Sequence, residues 1–149
     1  INMDSQAPNR AAAEYLPTLF PGGKILPEYK IEDSRLDFCI KTAAGPVYLE
    51  VKGVTLEEDG ISLFPDAPTR RGVKHLHTLA RLAGQGQHAC VLFVIQMEGI
   101  SCFTPNRKTD PVFADALAEA ADAGVCLRAV DCVVTETRMD IRNPVEIRL

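Results

Sequence analysis

Two acids and a lysine carry the chemistry available to this sequence. Asp37 lies in Leu36-Asp37-Phe38-Cys39-Ile40, and Glu50 and Lys52 lie in Val47-Tyr48-Leu49-Glu50-Val51-Lys52. Both stretches alternate with period two, as half-buried strands do, and the Thr42 to Pro46 segment between them reads as a turn. An antiparallel hairpin pairing Ile40 with Val47 and Phe38 with Leu49 sets Asp37 opposite Glu50, with Cβ atoms about 5 Å apart. Glu50 and Lys52 then leave the strand on one face, while Leu49 and Val51 point to the core. Opposed carboxylates repel, and a cation between them turns that cost into a site. Asp37, Glu50 and a backbone carbonyl suit a hard ion that keeps several waters, Mg²⁺ or Mn²⁺. Lys52 would position or deprotonate a water and stabilise charge on a phosphoryl oxygen, the ingredients of phosphodiester hydrolysis. The same spacing also describes a surface hairpin in which Lys52 offsets both acids.

A second group of residues is basic. Arg71, Lys74, His75, Thr78 and Arg81 recur at helical spacing and form one polar stripe opposite Val73, Leu76, Ala80 and Ala83. The chain carries 16 Lys and Arg against 20 Asp and Glu, a net charge of −4, which argues against nucleic-acid binding by bulk charge. From Ala67 to Met97, however, there is no acidic residue. A phosphate backbone running along the stripe would bind without sequence preference and with strong salt dependence. A solvated helix face is the alternative. Arg35, two residues from Asp37, either contacts a phosphate or pairs with Glu32 or Asp33. Asp66, before Pro68-Thr69, either caps the following helix or belongs to a loop returning beside Glu50.

Other patterns carry no chemistry. His75 and His77 diverge on a helix, so they are not a zinc pair. Gly22-Gly23-Lys24 lacks the length and the following Ser or Thr of a phosphate-cradling loop. Cys39, Cys90, Cys102, Cys126 and Cys132 contain no Cys-x-x-Cys spacing and read as core hydrophobes in a reducing, cytoplasmic setting.

These groups need a scaffold. A short helix should begin near Asn9 as N-cap, run through Glu14 and stop at Pro17, ahead of the hairpin. Ile61 to Phe64 makes a third strand, and the helix bearing the basic stripe ends at Gly84 and Gly86. The run Val91-Leu92-Phe93-Val94-Ile95 is apolar on both faces, hence a central strand parallel to a neighbour. Asp110-Pro111 starts a helix that Gly124 ends, Val125 to Val130 is a strand, and Val145, Ile147 and Leu149 alternate as an edge strand. Antiparallel strands followed by crossovers imply an α/β fold with a mixed sheet and helices on both faces. At 149 residues and 46% hydrophobic, the chain suits one domain over 1–149, with no apolar run of membrane-spanning length.

The order of helix Glu14, strand Asp37, strand Glu50-x-Lys52 and basic helix resembles the PD-(D/E)XK restriction-endonuclease-like core. Pro65-Asp66 is a decoy, since the motif's aspartate precedes the acid-x-Lys strand. Ser34-Arg35-Leu36-Asp37-Phe38, Glu50-Val51-Lys52, Thr55-Leu56, Phe64-Pro65-Asp66-Ala67, Thr69, Arg71-Gly72, Lys74-His75-Leu76 and Asp110-Pro111-x-Phe113 closely resemble the sugar fermentation stimulation protein A family. That resemblance implies a nonspecific DNA-binding protein linked to regulation of sugar (maltose) metabolism, with a nuclease-like C-terminal domain. It places Asp37, Glu50 and Lys52 at catalytic positions and Glu14, Asp37 and Glu50 at the metal. Ser34, Arg35, Asp66, Arg71, Lys74 and His75 match family motifs without an agreed role; the basic stripe and its neighbour assign Arg35, Arg71, Lys74, His75 and Arg81 to the nucleic acid, with Ser34 and Asp66 as a candidate site loop. The resemblance further implies an N-terminal OB-like domain preceding this one and absent from this chain. The alternative is a DNA-binding regulator whose nuclease-like domain is inactive.

Overall fold

A computed structural model describes residues 6–149. Helix α1 (Ala7–Leu19) leads into strand β1 (Lys24–Ile31), then β2 (Ser34–Thr42), β3 (Gly45–Val54), β4 (Leu56–Glu58) and β5 (Ile61–Phe64). Helix α2 (Arg70–Gly84), β6 (His88–Ile95), β7 (Cys102–Pro105), helix α3 (Pro111–Ala123), β8 (Cys126–Val134) and β9 (Met139–Ile147) follow. The nine strands form one mixed sheet in the order β1-β2-β3-β6-β8-β9-β7-β5-β4.

Strand β6 lies inside the sheet, parallel to β3 on one side and β8 on the other, as its unbroken apolar run requires. Its residues divide between two cores. Cys90, Leu92 and Val94 pack with Ala12 and Leu16 of α1, and Val91, Phe93 and Ile95 pack with Leu76 and Leu79 of α2 and Phe113 and Leu117 of α3. Helices therefore cover both faces. The caps are local: the Thr69 side chain accepts from Gly72 N at the start of α2, and Asp110 accepts from Phe113 N at the start of α3. Asp110 Oδ2 also accepts from Thr69 N at 2.9 Å, which ties the two helix starts together.

Several expectations change. Helix α1 starts after Gln6 rather than at Asn9, which leaves the Asn9 side chain free to reach the sheet, and it continues past Pro17 to Leu19. Proline costs a helix one hydrogen bond, and here the exposed last turn absorbs the loss. The tail strand β9 is internal, paired with β8 on one side and β7 on the other. Among the described residues no helix is long and apolar enough to cross a membrane.

Candidate metal and phosphate site

Strands β2 and β3 pair in the expected register, from Thr42–Gly45 through Ile40–Val47 to Phe38–Leu49, and there the ladder ends. Beyond that point β2 continues to Ser34 paired only with β1. The strands fork, and Asp37 and Glu50 sit in the fork. Their carboxylates take over the hydrogen bonds that the ladder has given up. Asp37 N donates to Glu50 Oε1 at 3.0 Å, and Val51 N donates to Asp37 Oδ2 at 2.7 Å. The β1–β2 ladder is interrupted at the same level, between the Pro27–Phe38 and Tyr29–Leu36 pairs. Glu28 occupies that gap with φ 51°, a left-handed conformation that costs a non-glycine residue about 1–2 kcal/mol. Asp37 therefore stands at a break in both of its ladders.

Helix α1 supplies the next contact. Asn9 Nδ2 donates to Asp37 Oδ1 at 2.9 Å. Gly53 permits this approach, because a Cβ there would fall 2.6 Å from Pro8 Cγ and 2.8 Å from Gln96 Nε2. Glu14, five residues along the helix, points elsewhere: it is exposed and pairs with Arg138 at 3.0 Å. Glu14 is therefore not brought to the expected metal site: a helix turns by about 100° per residue, and the residues of α1 on the cleft beside the fork are Gln6, Asn9, Arg10 and Ala13.

On the α2 side of the sheet, Lys52 Nζ donates to Glu50 Oε2 at 3.1 Å, and His75 Nδ1 lies 2.6 Å from the same oxygen. An ionised carboxylate only accepts, so the short contact assigns a proton to His75 Nδ1, which donates to Glu50. The 3.1 Å approach of Lys52 Nζ to His75 Nδ1 is then a proximity of two donors rather than a hydrogen bond. Both side chains are largely withdrawn from solvent, at 13% exposure for Lys52 and 5% for His75.

The two carboxyls respond oppositely. Burial, then the negative charge of Glu50, pushes Asp37 up to about 6. Burial acts on Glu50 in the same direction, but the hydrogen bond from His75 and the Lys52 ammonium outweigh it and hold Glu50 at about 2. Each Asp37 oxygen takes one donor and Glu50 takes three, so unshared lone pairs remain on both groups. Two facing acids with spare oxygen lone pairs, one resisting ionisation through burial and the charge of the other, fit a hard divalent cation completed by a backbone carbonyl and waters. Among the described residues no three His, Cys, Asp or Glu side chains gather as a ligand set, so a closed structural zinc site does not fit.

On the Asp37 side the fork borders a cleft of about 490 Å³, whose lining includes Asn9, Arg10, Arg35, Asp37, Phe38 and Arg71, with Glu50 and Lys52 withdrawn behind it. Arg35 and Arg71 are exposed and, among the described residues, paired with no carboxylate. The rest of the basic stripe is not an open track. His75 and Thr78 are buried, with Ser34 Oγ 2.8 Å from Thr78 Oγ1. Lys74 Nζ donates to Asp33 O at 2.9 Å, and Arg81 pairs with Glu32. The helical wheel placed these residues on one face correctly, but that face packs against β2 and the β1–β2 turn. His75 is therefore not positioned to touch a nucleic acid, and Lys74 and Arg81 meet acids instead. Ser34 is buried and fastens α2 to β2. Asp66 is exposed and caps nothing, Thr69 having taken that role, and it does not line the cleft. Sequence reasoning missed Asn9 and the inward role of His75. The signal for both was tertiary, since it depends on which way each helix faces the fork.

A mixed sheet covered on both faces, with an acid-x-Lys strand at a fork beside its parallel centre, describes an α/β domain of the restriction-endonuclease-like class. Residues 6–138 match the sugar fermentation stimulation protein RE domain, the restriction-endonuclease-like part of that family. The chain belongs to the sugar fermentation stimulation protein (SfsA) family. Along its whole length it is 45% identical to the Ruminiclostridium cellulolyticum sugar fermentation stimulation protein homolog and 46% identical to that of Desulfitobacterium hafniense, spanning 67% and 66% of those proteins. Pyrococcus furiosus SfsA, solved in complex with Ca²⁺, superposes with a TM-score of 0.84 at 32% identity, covering 93% of this chain and 61% of that one.

Proposed function

We propose that this chain is a PD-(D/E)XK-type domain that binds DNA without sequence preference and hydrolyses its phosphodiester bonds with a divalent cation. One observation carries the reading: Asp37 and Glu50 converge at a fork, with the Lys52 ammonium on Glu50, at the edge of a cleft lined by Arg35 and Arg71. Asp37 and Glu50 would hold Mg²⁺ or Mn²⁺. When bound, the cation supplies Lewis acidity toward a phosphoryl oxygen and lowers the pKa of water. Arg35 and Arg71 bind the phosphate through charge-assisted hydrogen bonds. Lys52 stabilises the charge that grows on the phosphoryl oxygen as the water oxygen bonds to phosphorus and the ester bond breaks, leaving a phosphate monoester and a hydroxyl. The Ca²⁺ complex of Pyrococcus furiosus SfsA supports a divalent site in the family. Five free cysteines support a reducing compartment, the cytoplasm.

One observation favours a second reading, a DNA-binding regulator without turnover: Glu14, the acid that would extend the ligand set, is engaged by Arg138. Mn²⁺-dependent cleavage of plasmid and oligonucleotide DNA separates the two. Replacing Glu50 or Lys52 with Ala should lower the cleavage rate at least about 10²–10³-fold while circular dichroism stays native. Undiminished cleavage in both variants overturns the catalytic assignment. Salt-dependent retention of DNA by the wild type, with no cleavage in Mg²⁺ or Mn²⁺, selects the regulator.

A further inference from the structure

We propose that His75 is a positioning residue for the carboxylate pair, holding Glu50 so that Oε2 faces Lys52 and Oε1 faces Asp37. The proposal rests on the metal-dependent reading above and assigns that site a third, buried determinant on a different element.

His75 lies on the polar stripe of α2, yet its side chain is only 5% exposed. Burying an imidazole is costly unless its polar atoms are bonded, and the partner found here is Glu50 Oε2 at 2.6 Å. A glutamate on a strand has three rotatable side-chain bonds, and a lysine amine is a flexible tether that cannot fix it alone. The imidazole is a rigid ring whose backbone is itself pinned. One residue before it, Lys74 donates to Asp33 O, and three residues after it, Thr78 meets Ser34 across a buried 2.8 Å contact. Helix α2 is thus fastened to β2, the strand of Asp37, and through His75 it reaches the side chain on β3. The imidazole sets the distance across the fork. With Oε2 committed to two donors, Oε1 is the oxygen left facing Asp37, where it already accepts from Asp37 N at 3.0 Å. Groups that orient a ligating carboxylate in this way typically control metal affinity 10–100-fold.

Calorimetric titration of the chain with Ca²⁺ alone, beside thermal unfolding, tests this. His75→Leu, which removes the donor, should weaken Ca²⁺ binding about 10–100-fold. His75→Asn, whose amide can occupy the place of Nδ1, should restore it to within about threefold. His75→Gln, whose amide reaches the place of Nε2 instead, should behave like Leu and replaces it as the donor-less arm if His75→Leu does not fold. Asp37→Ala runs in parallel. Binding lost in Asp37→Ala but unchanged in the donor-less variant overturns the role of His75 and leaves the metal site standing. Equal loss in the donor-less variant and His75→Asn also overturns it, because packing rather than the donor would then matter. Unchanged binding in Asp37→Ala removes the metal site itself and this inference with it.

Discussion

On α2, Arg71 stands exposed at the cleft that holds Asp37, with Arg35 of β2 on the same wall, whereas Lys74 and Arg81 on the same helix are bound by Asp33 and Glu32. Arg71, Lys74 and Arg81 are alike in charge and share one face of the helix. They differ in what the β1–β2 turn brings to them: Asp33 reaches Lys74 and Glu32 reaches Arg81, whereas among the described residues no carboxylate reaches Arg71. A formal charge in a sequence is available to a ligand only when the fold supplies no nearer partner. Exposed ion pairs contribute little stability, typically about 0–1 kcal/mol, so Glu32 and Asp33 act mainly by withdrawing cations from the surface potential.

The contrast can be broken by substitution. Losing two charge-assisted phosphate contacts, each worth about 1.5–3 kcal/mol, should weaken DNA binding by about 10² or more in Arg35→Ala with Arg71→Ala, and the slope of log affinity against log salt should fall by about two. Lys74→Ala with Arg81→Ala should change affinity less than about threefold. Electrophoretic retardation at several salt concentrations reads both, and equal losses would erase the distinction between the two groups of cations.

Acidity sharpens the cleft side of the comparison. Asp37 is raised in the folded chain to about 6 from 3.8, so the fold binds its proton more tightly than the unfolded chain does. Ionising it therefore costs stability progressively as pH rises from about 4 to about 6. Glu50 is lowered to about 2 from 4.5, so its stabilisation is complete above 4.5 and is lost as pH falls toward 2. The pair therefore favours the metal-free fold most where the two windows meet, at about pH 4. A cation needs Asp37 ionised, so Ca²⁺ affinity should climb up to about tenfold per pH unit below 6 and level off above it, as titrations from pH 5 to 8 will show. Asp37→Asn should abolish that climb and raise the melting temperature of the metal-free chain at pH 7.5. A flat affinity profile in the wild type would place the cation elsewhere.

The smallest effect concerns the turn. Glu32→Gln with Asp33→Asn should release Arg81 and remove the carboxylate charge beside Lys74, which keeps its bond to the Asp33 carbonyl, and so tighten DNA binding about two- to threefold at low salt, with the gain vanishing at high salt. Tightening that persists at high salt would mean that the two acids do more than hold those cations.

Much of the scaffold was legible because its signals are local. The β2–β3 register followed from alternation around a short turn, β6 from an unbroken apolar run, and α3 from Asp110, Pro111 and Gly124. Strand β1 was missed because Lys24, Pro27, Glu28 and Lys30 disguise an edge strand as a loop. The short strands β4 and β7 carry too few residues to show a period. Within the site, Asp37, Glu50 and Lys52 were legible as neighbours across one hairpin. The misplacement of Glu14 and His75 has a common cause: periodicity ranks residues around a helix axis but leaves the helix free to roll on the sheet.

By itself the sequence determined which side chains share a strand face or a helix face, since those relations depend only on backbone geometry within a few residues. The tertiary structure decided which faces meet. The parting of β2 from β3 after Phe38, the seating of Pro8 on Gly53 and the fastening of α2 to Ser34 are contacts between distant segments. They bring Asn9 and His75 to the two acids, because a buried polar group must find its hydrogen bond wherever the packed chain provides one, and among the described residues they leave the exposed Arg35 and Arg71 without acidic partners.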